Sequence, residues 1–297
     1  MKLSNMTATD FDLARTLDSG QVFHWEKSGS GFAGAVGAQA VLVEQQGDQL
    51  VFTGATVTAI TNYFSLDHPL AEICRSFPRD PGMNAARDFC RGLRIVRQPR
   101  WECLATFITS SMKQVAHIRQ ISLVLRKRYG ESQQILGHEI FTYPSAERIA
   151  ELTEQELRAC ALGYRAKNLL ATARLIATGE ANLEAWSKLP DDTLRTRLCD
   201  LPGVGPKVAN CVMLFAYERL RAFPIDVWIE RVLKHQYFPR KRKVTAQQLR
   251  QFCEGYFGEH GGYAQQYLFH YARKGGATQN AKTGQVVRPG DVRYDLR

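Results

Sequence analysis

Apolar and polar positions alternate with period two over the first fifty residues. Short runs at 22–25, 32–36, 40–45 and 49–53 carry the pattern, separated by glycine turns at 28–31 and 46–48. Such runs bounded by turn residues predict an antiparallel strand meander. From about residue 71 the period changes to that of helices. Runs at 101–108, 118–125, 154–160 and 166–177 present apolar stripes spaced three and four apart. Pro144 before Ser145, Thr153 before Glu154 and Pro190 before Asp191 read as helix starts. The pattern stays mostly helical to Arg273. The last stretch, 274–297, is rich in Gly, Lys, Gln and Arg and loses the period, which predicts a flexible basic tail, a candidate arm on DNA. The expected architecture is α+β, with an antiparallel β domain at 1–90, a larger helical domain at 91–273 and the tail at 274–297.

Composition narrows the class. The 297 residues are 44% hydrophobic, enough for a real core. Lys and Arg number 39 against 29 Asp and Glu, a formal charge of +10. That excess favours a polyanionic partner, nucleic acid or an acidic membrane surface. No stretch approaches a membrane span, and the N-terminus lacks the apolar segment of a secretion signal. Seven cysteines, at 74, 90, 103, 160, 199, 211 and 253, are scattered without a C-x-x-C pair. Reduced thiols in an intracellular protein are therefore expected, with no zinc site. No cysteine follows Cys253, so a C-terminal iron–sulfur cluster is not expected. His24, His117, His235 and His270 form no metal-ligand pattern, and the basic runs at 126–128 and 240–243 read as solvated surface.

Candidate chemistry concentrates in Leu201-Pro202-Gly203-Val204-Gly205-Pro206-Lys207, between two helical patterns. Glycines at 203 and 205 suit a tight hairpin with positive φ and close approach to a ligand. Pro206 suits the first position of the second helix, because its missing N–H would be unpaired there. The free amides of that helix start make a phosphate site. Lys207 then falls in the first turn, where the helix dipole disfavours the ammonium form. A free amine there is a nucleophile able to form a Schiff base.

Downstream, Asp226 in Pro224-Ile225-Asp226-Val227-Trp228 has N-cap placement before an amphipathic helix. Alone it reads as a cap; beside a hairpin lysine it is a carboxylate able to stabilise positive charge on a sugar. Cys211 shares a helix face with Lys207, and Phe269 shares one with Gln265. Each would pass for core packing, yet a flipped base needs soft or flat walls and a polar reader at its edge.

These segments resemble the helix-hairpin-helix glycosylase superfamily, and within it the 8-oxoguanine DNA glycosylase/AP lyases. The resemblance runs through 17–25, 63–67, 102–111, 162–166, the hairpin and 265–269, in the family's order. It implies a TBP-like twisted antiparallel sheet packed on a helical domain. It implies that Lys207 attacks the sugar C1′, that β-elimination then nicks the strand, and that Asp226 stabilises the oxocarbenium-like transition state. The Gly20 carbonyl would accept the N7 hydrogen of oxidised guanine, Gln265 would read its Watson–Crick edge, and Cys211 and Phe269 would sandwich the ring. Tyr164 would fill the vacated stack, Arg165 would contact the orphaned cytosine, and backbone amides around Gly203, Val204 and Gly205 would hold a phosphate, often with a bound monovalent cation. The implied partner is double-stranded DNA containing oxidised guanine, met by a monomer with no other cofactor.

The chain departs from the family at three places. Met112-Lys113-Gln114 stands where eukaryotic members have an asparagine run, and His117 replaces an arginine that reads the opposite cytosine. Neither Met nor neutral His makes the same bidentate contact, so relaxed opposite-base preference is expected. Trp228 stands where the eukaryotic form has a phosphate-contacting histidine. Two alternatives remain: a glycosylase for alkylated or ring-opened purines, and a non-catalytic hairpin module gripping DNA backbone. Excision of alkylated bases in this superfamily needs no catalytic lysine, and a mere grip needs no Asp226, Gln265 or Phe269.

Overall fold

Residues 26–53 do pair as a meander, and a strand at 4–7 joins its far edge. In the computed structural model, which describes residues 3–111, 113–241 and 243–283, five antiparallel strands lie in the order β1-β5-β4-β3-β2. They are β1 (Ser4–Thr7), β2 (Glu26–Ser28), β3 (Gly31–Val36), β4 (Gln39–Gln46) and β5 (Gln49–Thr53). The turns joining β2 through β5 are two-residue loops, and each begins on a glycine with positive φ, at 29, 37 and 47. That geometry matches the right-handed strand twist. One sheet face buries Val41, Val43, Leu50 and Phe52 against Trp25, Ile60 and Phe64.

Several features differ from the sequence reading. Residues 22–25 are not a strand. All four are buried, and they serve two cores at once: Phe23 packs in the helical core, Val22 and Trp25 in the sheet core. Side chains fix this segment instead of a ladder, with Gln98 donating to the Gln21 carbonyl at 2.7 Å. Helices also begin earlier than residue 71, at Leu13–Asp18 and Val57–Tyr63, capped by Asp12 and Thr56.

Trp25 lies flat against the sheet because position 34 is glycine. A Cβ there would stand 2.6 Å from the indole ring, whose N–H donates to the Tyr63 hydroxyl at 2.9 Å. Gly34→Ala is expected to cost about 1–3 kcal/mol through overpacking. The check is a lower urea midpoint at unchanged slope.

The other sheet face is covered from the helical half by a hairpin absent from the sequence reading, β6 (Ser132–Ile135) and β7 (His138–Phe141). Its Ile135 and Ile140 cover Ala33, Ala35 and Ala40. Its turn is Leu136-Gly137, both at positive φ. Both sheet faces are thus filled by one continuous chain.

In the helical half, Arg100–Thr109 is buried from Glu102 to Thr109 and forms the central helix. The buried Glu102 pairs with Arg126 and approaches His24, tying this helix to the 22–25 segment. Val115–Tyr129, Arg165–Ala177 and Pro206–Ala216 pack directly on it, and Asp191–Cys199, Val227–Tyr237, Ala246–Tyr256 and Gly261–Thr283 complete the helical half. The expected helix at 154–160 is shorter. Glu154–Leu157 starts on a capping box at Thr153, then gives way to a wide turn in which Ala161 has φ +62. The final helix runs on to Thr283, past the point where apolar periodicity ends. Met112, Arg242 and residues 284–297 of the basic tail lie outside the described residues. Among the described residues no helix is long and apolar enough to cross a membrane.

Candidate active site

The hairpin joins Asp191–Cys199 to Pro206–Ala216, with Pro206 at the first helical position as expected. It closes through Val204 N–H to the Leu201 carbonyl at 3.1 Å, and Thr172 Oγ1 donates to the Pro202 carbonyl at 3.0 Å. The two glycines do different work. Gly203 has φ +81, and a Cβ there would strike Asn168 at 2.8 Å. Gly205 is extended, φ −99, and a Cβ there would meet nothing. The expectation of positive φ holds at Gly203 alone. Val204 is buried and its amide is taken, so among the described residues the unbonded hairpin amides are those of Gly203 and Gly205. Unbonded N–H groups at a helix start favour an anion.

Lys207 is half-buried in the first turn. Its Nζ donates to Ser110 Oγ at 3.2 Å and lies 5.0 Å from the Phe107 ring centroid. Ser110 gives its own proton to the Phe107 carbonyl at 2.7 Å, so toward Lys207 it acts as an acceptor. Both contacts suit a cationic donor.

Asp226 caps Val227–Tyr237 by accepting the Ile229 amide at 2.8 Å. Burial pushes its carboxyl above the ordinary value of 3.8, opposed by the Ile229 amide, by the Lys207 charge and by the Trp228 amide. Lys207 and Asp226 thus feel each other's charge, yet among the described residues no ion pair within 4.0 Å joins them. Cys211, one turn beyond Lys207, is buried; burial raises its thiol to about 11 with Lys207 opposing. At neutral pH its thiol is uncharged, small and soft.

A second group gathers around Gly20. Gly20 has φ +86, and a Cβ on it would lie 3.0 Å from Phe269 Cε1 and 3.6 Å from Val115 Cγ2. Gln265, one helical turn before Phe269, is 4% exposed, and its Oε1 is buried without a hydrogen-bond partner. An orphaned buried acceptor of this kind is costly unless a ligand completes it. Ser110 touches Lys207, and Val115, five residues further along the chain, lies beside Gly20.

Tyr164 is 54% exposed, held out by the wide turn before it. Arg165 is turned inward. Its guanidinium donates to the Ser111 carbonyl at 2.7 Å and to Leu162 at 3.3 Å, with the Tyr164 ring 4.3 Å from Cζ. Reaching an orphaned base requires release of those carbonyls. His117 is exposed on its helix, and Trp228 is half-buried beside Asp226. Sequence reasoning missed the roles of Ser110, Phe107 and Val115 around the site, because only tertiary packing brings them there. Among the described residues no cluster of His, Cys, Asp or Glu is arranged to hold a metal.

A strand-rich half, a helical half and a lysine-bearing hairpin facing a capping aspartate define a class. The chain belongs to the HhH-GPD superfamily of base excision DNA repair proteins, whose pattern matches residues 105–256. Residues 4–104 match a narrower description, the N-terminal domain of 8-oxoguanine DNA glycosylase. Among relatives, an N-glycosylase/DNA lyase OGG1 of Arabidopsis thaliana is 29% identical over 284 residues, 89% of this chain and 78% of that one. The 8-oxoguanine glycosylase/lyase of Clostridium acetobutylicum, solved with double-stranded DNA containing cytosine opposite 8-oxoguanine, superposes with a TM-score of 0.86 at 30% identity, covering 93% and 99% of the two chains. MBOgg1 in complex with a low affinity DNA ligand gives 0.87 at 31% identity, covering 93% and 100%.

Proposed function

We propose that this chain is a DNA glycosylase and lyase that removes 8-oxoguanine from double-stranded DNA through Lys207 and then cuts the strand. The observation that carries the reading is Lys207 in the first turn of the hairpin helix, its Nζ on Ser110 Oγ, with the helix-capping carboxyl of Asp226 near enough to feel its charge. Glycosylase and lyase activity of the 8-oxoguanine type accords with the family and with the names of the relatives.

The steps follow from the residues. The damaged nucleotide is extruded, and Tyr164 fills the gap. The base enters between Cys211 and Phe269, Gln265 Oε1 gains a donor from its edge, and the Gly20 carbonyl accepts its N7 hydrogen. The bond from C1′ to the base breaks as Lys207 Nζ bonds to C1′, and the base leaves with its electron pair. Asp226 stabilises the positive charge that builds on the sugar. Opening the ring at O4′ gives an imine, loss of a C2′ proton expels the 3′ phosphate, and the strand is cut. The anion seat at Gly203 and Gly205 holds a neighbouring phosphate. Val204 and Thr172 already close the hairpin, so a monovalent cation there would brace the turn, and no step runs through it.

Duplexes carrying 8-oxoguanine opposite cytosine or adenine test the reading. Release of free base together with strand scission is expected, at nearly equal single-turnover rates for the two partners. The near-equality follows from His117, which lacks the guanidinium fork that reads cytosine. A strong cytosine preference would count against relaxed recognition, and no release of the oxidised base would sink the function.

A further inference from the structure

The turn that carries Gly20 is held from an unexpected quarter. Four carbonyls lie in sequence at 18, 19, 20 and 21. Arg273 Nη2 donates to the Asp18 carbonyl, Gln266 Nε2 to the Ser19 carbonyl at 2.9 Å, and Gln98 Nε2 to the Gln21 carbonyl at 2.7 Å. Among the described residues no hydrogen bond ends on the carbonyl of Gly20. Backbone acceptors in a packed turn are ordinarily satisfied, so an open one between three occupied neighbours marks a place kept for a ligand donor.

The donors to Asp18 and Ser19 come from one helix. Gln266 and Arg273 are seven residues apart, two turns on the same face of Gly261–Thr283. The same helix carries Gln265 and Phe269. Gln266 is 3% exposed, and the Arg273 side chain is 14% exposed, its guanidinium 5.6 Å from the Phe269 ring centroid. Arg273 Nη1 also stands 3.7 Å from where a Gly20 Cβ would lie. Reader and clamp are therefore one rigid element, and the turn cannot shift against Phe269 without breaking both side-chain bonds.

We propose that Gln266 and Arg273 are positioning residues for lesion specificity: they occupy the Asp18 and Ser19 carbonyls and hold the Gly20 carbonyl as the acceptor presented to the base. The proposal rests on the reading that this carbonyl takes the N7 hydrogen of 8-oxoguanine. Guanine has no hydrogen at N7, so the discrimination depends on where one oxygen points. A hydrogen bond of about 1.4 kcal/mol is worth about tenfold in affinity, and its angular tolerance is narrow.

The test separates the proposal from the reading beneath it. In a Lys207→Gln background, which binds without cutting, affinity is measured for duplexes carrying 8-oxoguanine or 7-deaza-8-oxoguanine, whose ring has C–H in place of N7–H. The background protein is expected to prefer 8-oxoguanine about tenfold. Adding Gln266→Met or Arg273→Met should reduce that preference to about threefold or less, while Arg273→Lys, which keeps a donor, should retain most of it. Affinity for undamaged duplex, set by phosphate contacts, should stay constant. A merely structural role would lower both lesion affinities together and leave their ratio intact, and that result overturns the proposal. If the background shows no preference at all, the Gly20 reading itself fails. Should one methionine variant not fold, the other decides, since each clamp holds a different carbonyl.

Discussion

Lys207→Gln is expected to lower single-turnover release of 8-oxoguanine by at least ~10³-fold and to abolish strand scission, because it removes the nucleophile both steps share. Glutamine is the informative replacement. It fills the half-buried space and can still donate toward Ser110 Oγ, which accepts from Lys207 in the native protein. The fold and the affinity for undamaged duplex should therefore be almost unchanged. The hairpin amides at Gly203 and Gly205 do not involve the side chain at 207. Loss of DNA affinity in parallel with rate would instead make Lys207 a phosphate contact. Rates can be read by quenched-flow release of the base, and affinity by anisotropy with a labelled undamaged duplex.

Asp226→Asn separates the two roles that the sequence leaves superimposed at this residue. Asparagine is as good an N-cap as aspartate and can accept the Ile229 amide in its place. The negative charge is lost, however, and with it the stabilisation of the sugar cation. Excision should fall by about 10²–10³-fold, the scale of removing one preorganised electrostatic partner. Stability moves the other way. Burial raises the folded-state pKa of Asp226 above the ordinary 3.8. A raised carboxylate contributes stability that is present in full below the unfolded pKa and is lost as pH rises through the folded one. Asp226→Asn should thus match the wild type in acid and become slightly more stable at neutral pH. In the wild type, the acid limb of the rate profile should inflect above the ordinary aspartate value, since the ionised form does the work. Urea midpoints between pH 3 and 8 and single-turnover rates over the same range measure both. A variant that loses stability at neutral pH and keeps its rate would reduce Asp226 to a cap.

The parts of the site readable in the sequence are those fixed by near neighbours. Pro206 at the helix start places Lys207 in the first turn, and Asp226 three residues before Ile229 places its carboxylate on that amide. Both are decided within one helical turn. Likewise β3, β4 and β5 follow from alternation and glycine turns. The segment 22–25 misled because its apolar run reflects two cores meeting and not a pleat. The hairpin at 132–141 is hidden because its strands are mostly polar: Ile135 and Ile140 supply its apolar packing on the sheet, and Gln133 and His138 hold it there by hydrogen bonds. The clamps lay furthest out of reach. Gln266 and Ser19 are separated by 247 residues, Arg273 and Asp18 by 255, and nothing local marks either pair. Arg165 shows the same limit from the other side, since its position suits an outward reader while Ser111 and Leu162 hold it inward.

Reduction with borohydride during turnover tests the central claim most directly. Wild-type protein mixed with an 8-oxoguanine duplex should form a covalent protein–DNA species, and tryptic mapping should place the sugar remnant on the side-chain nitrogen of residue 207. A trapped adduct mapping to another amine, or free base released with no trapped species, would contradict the account.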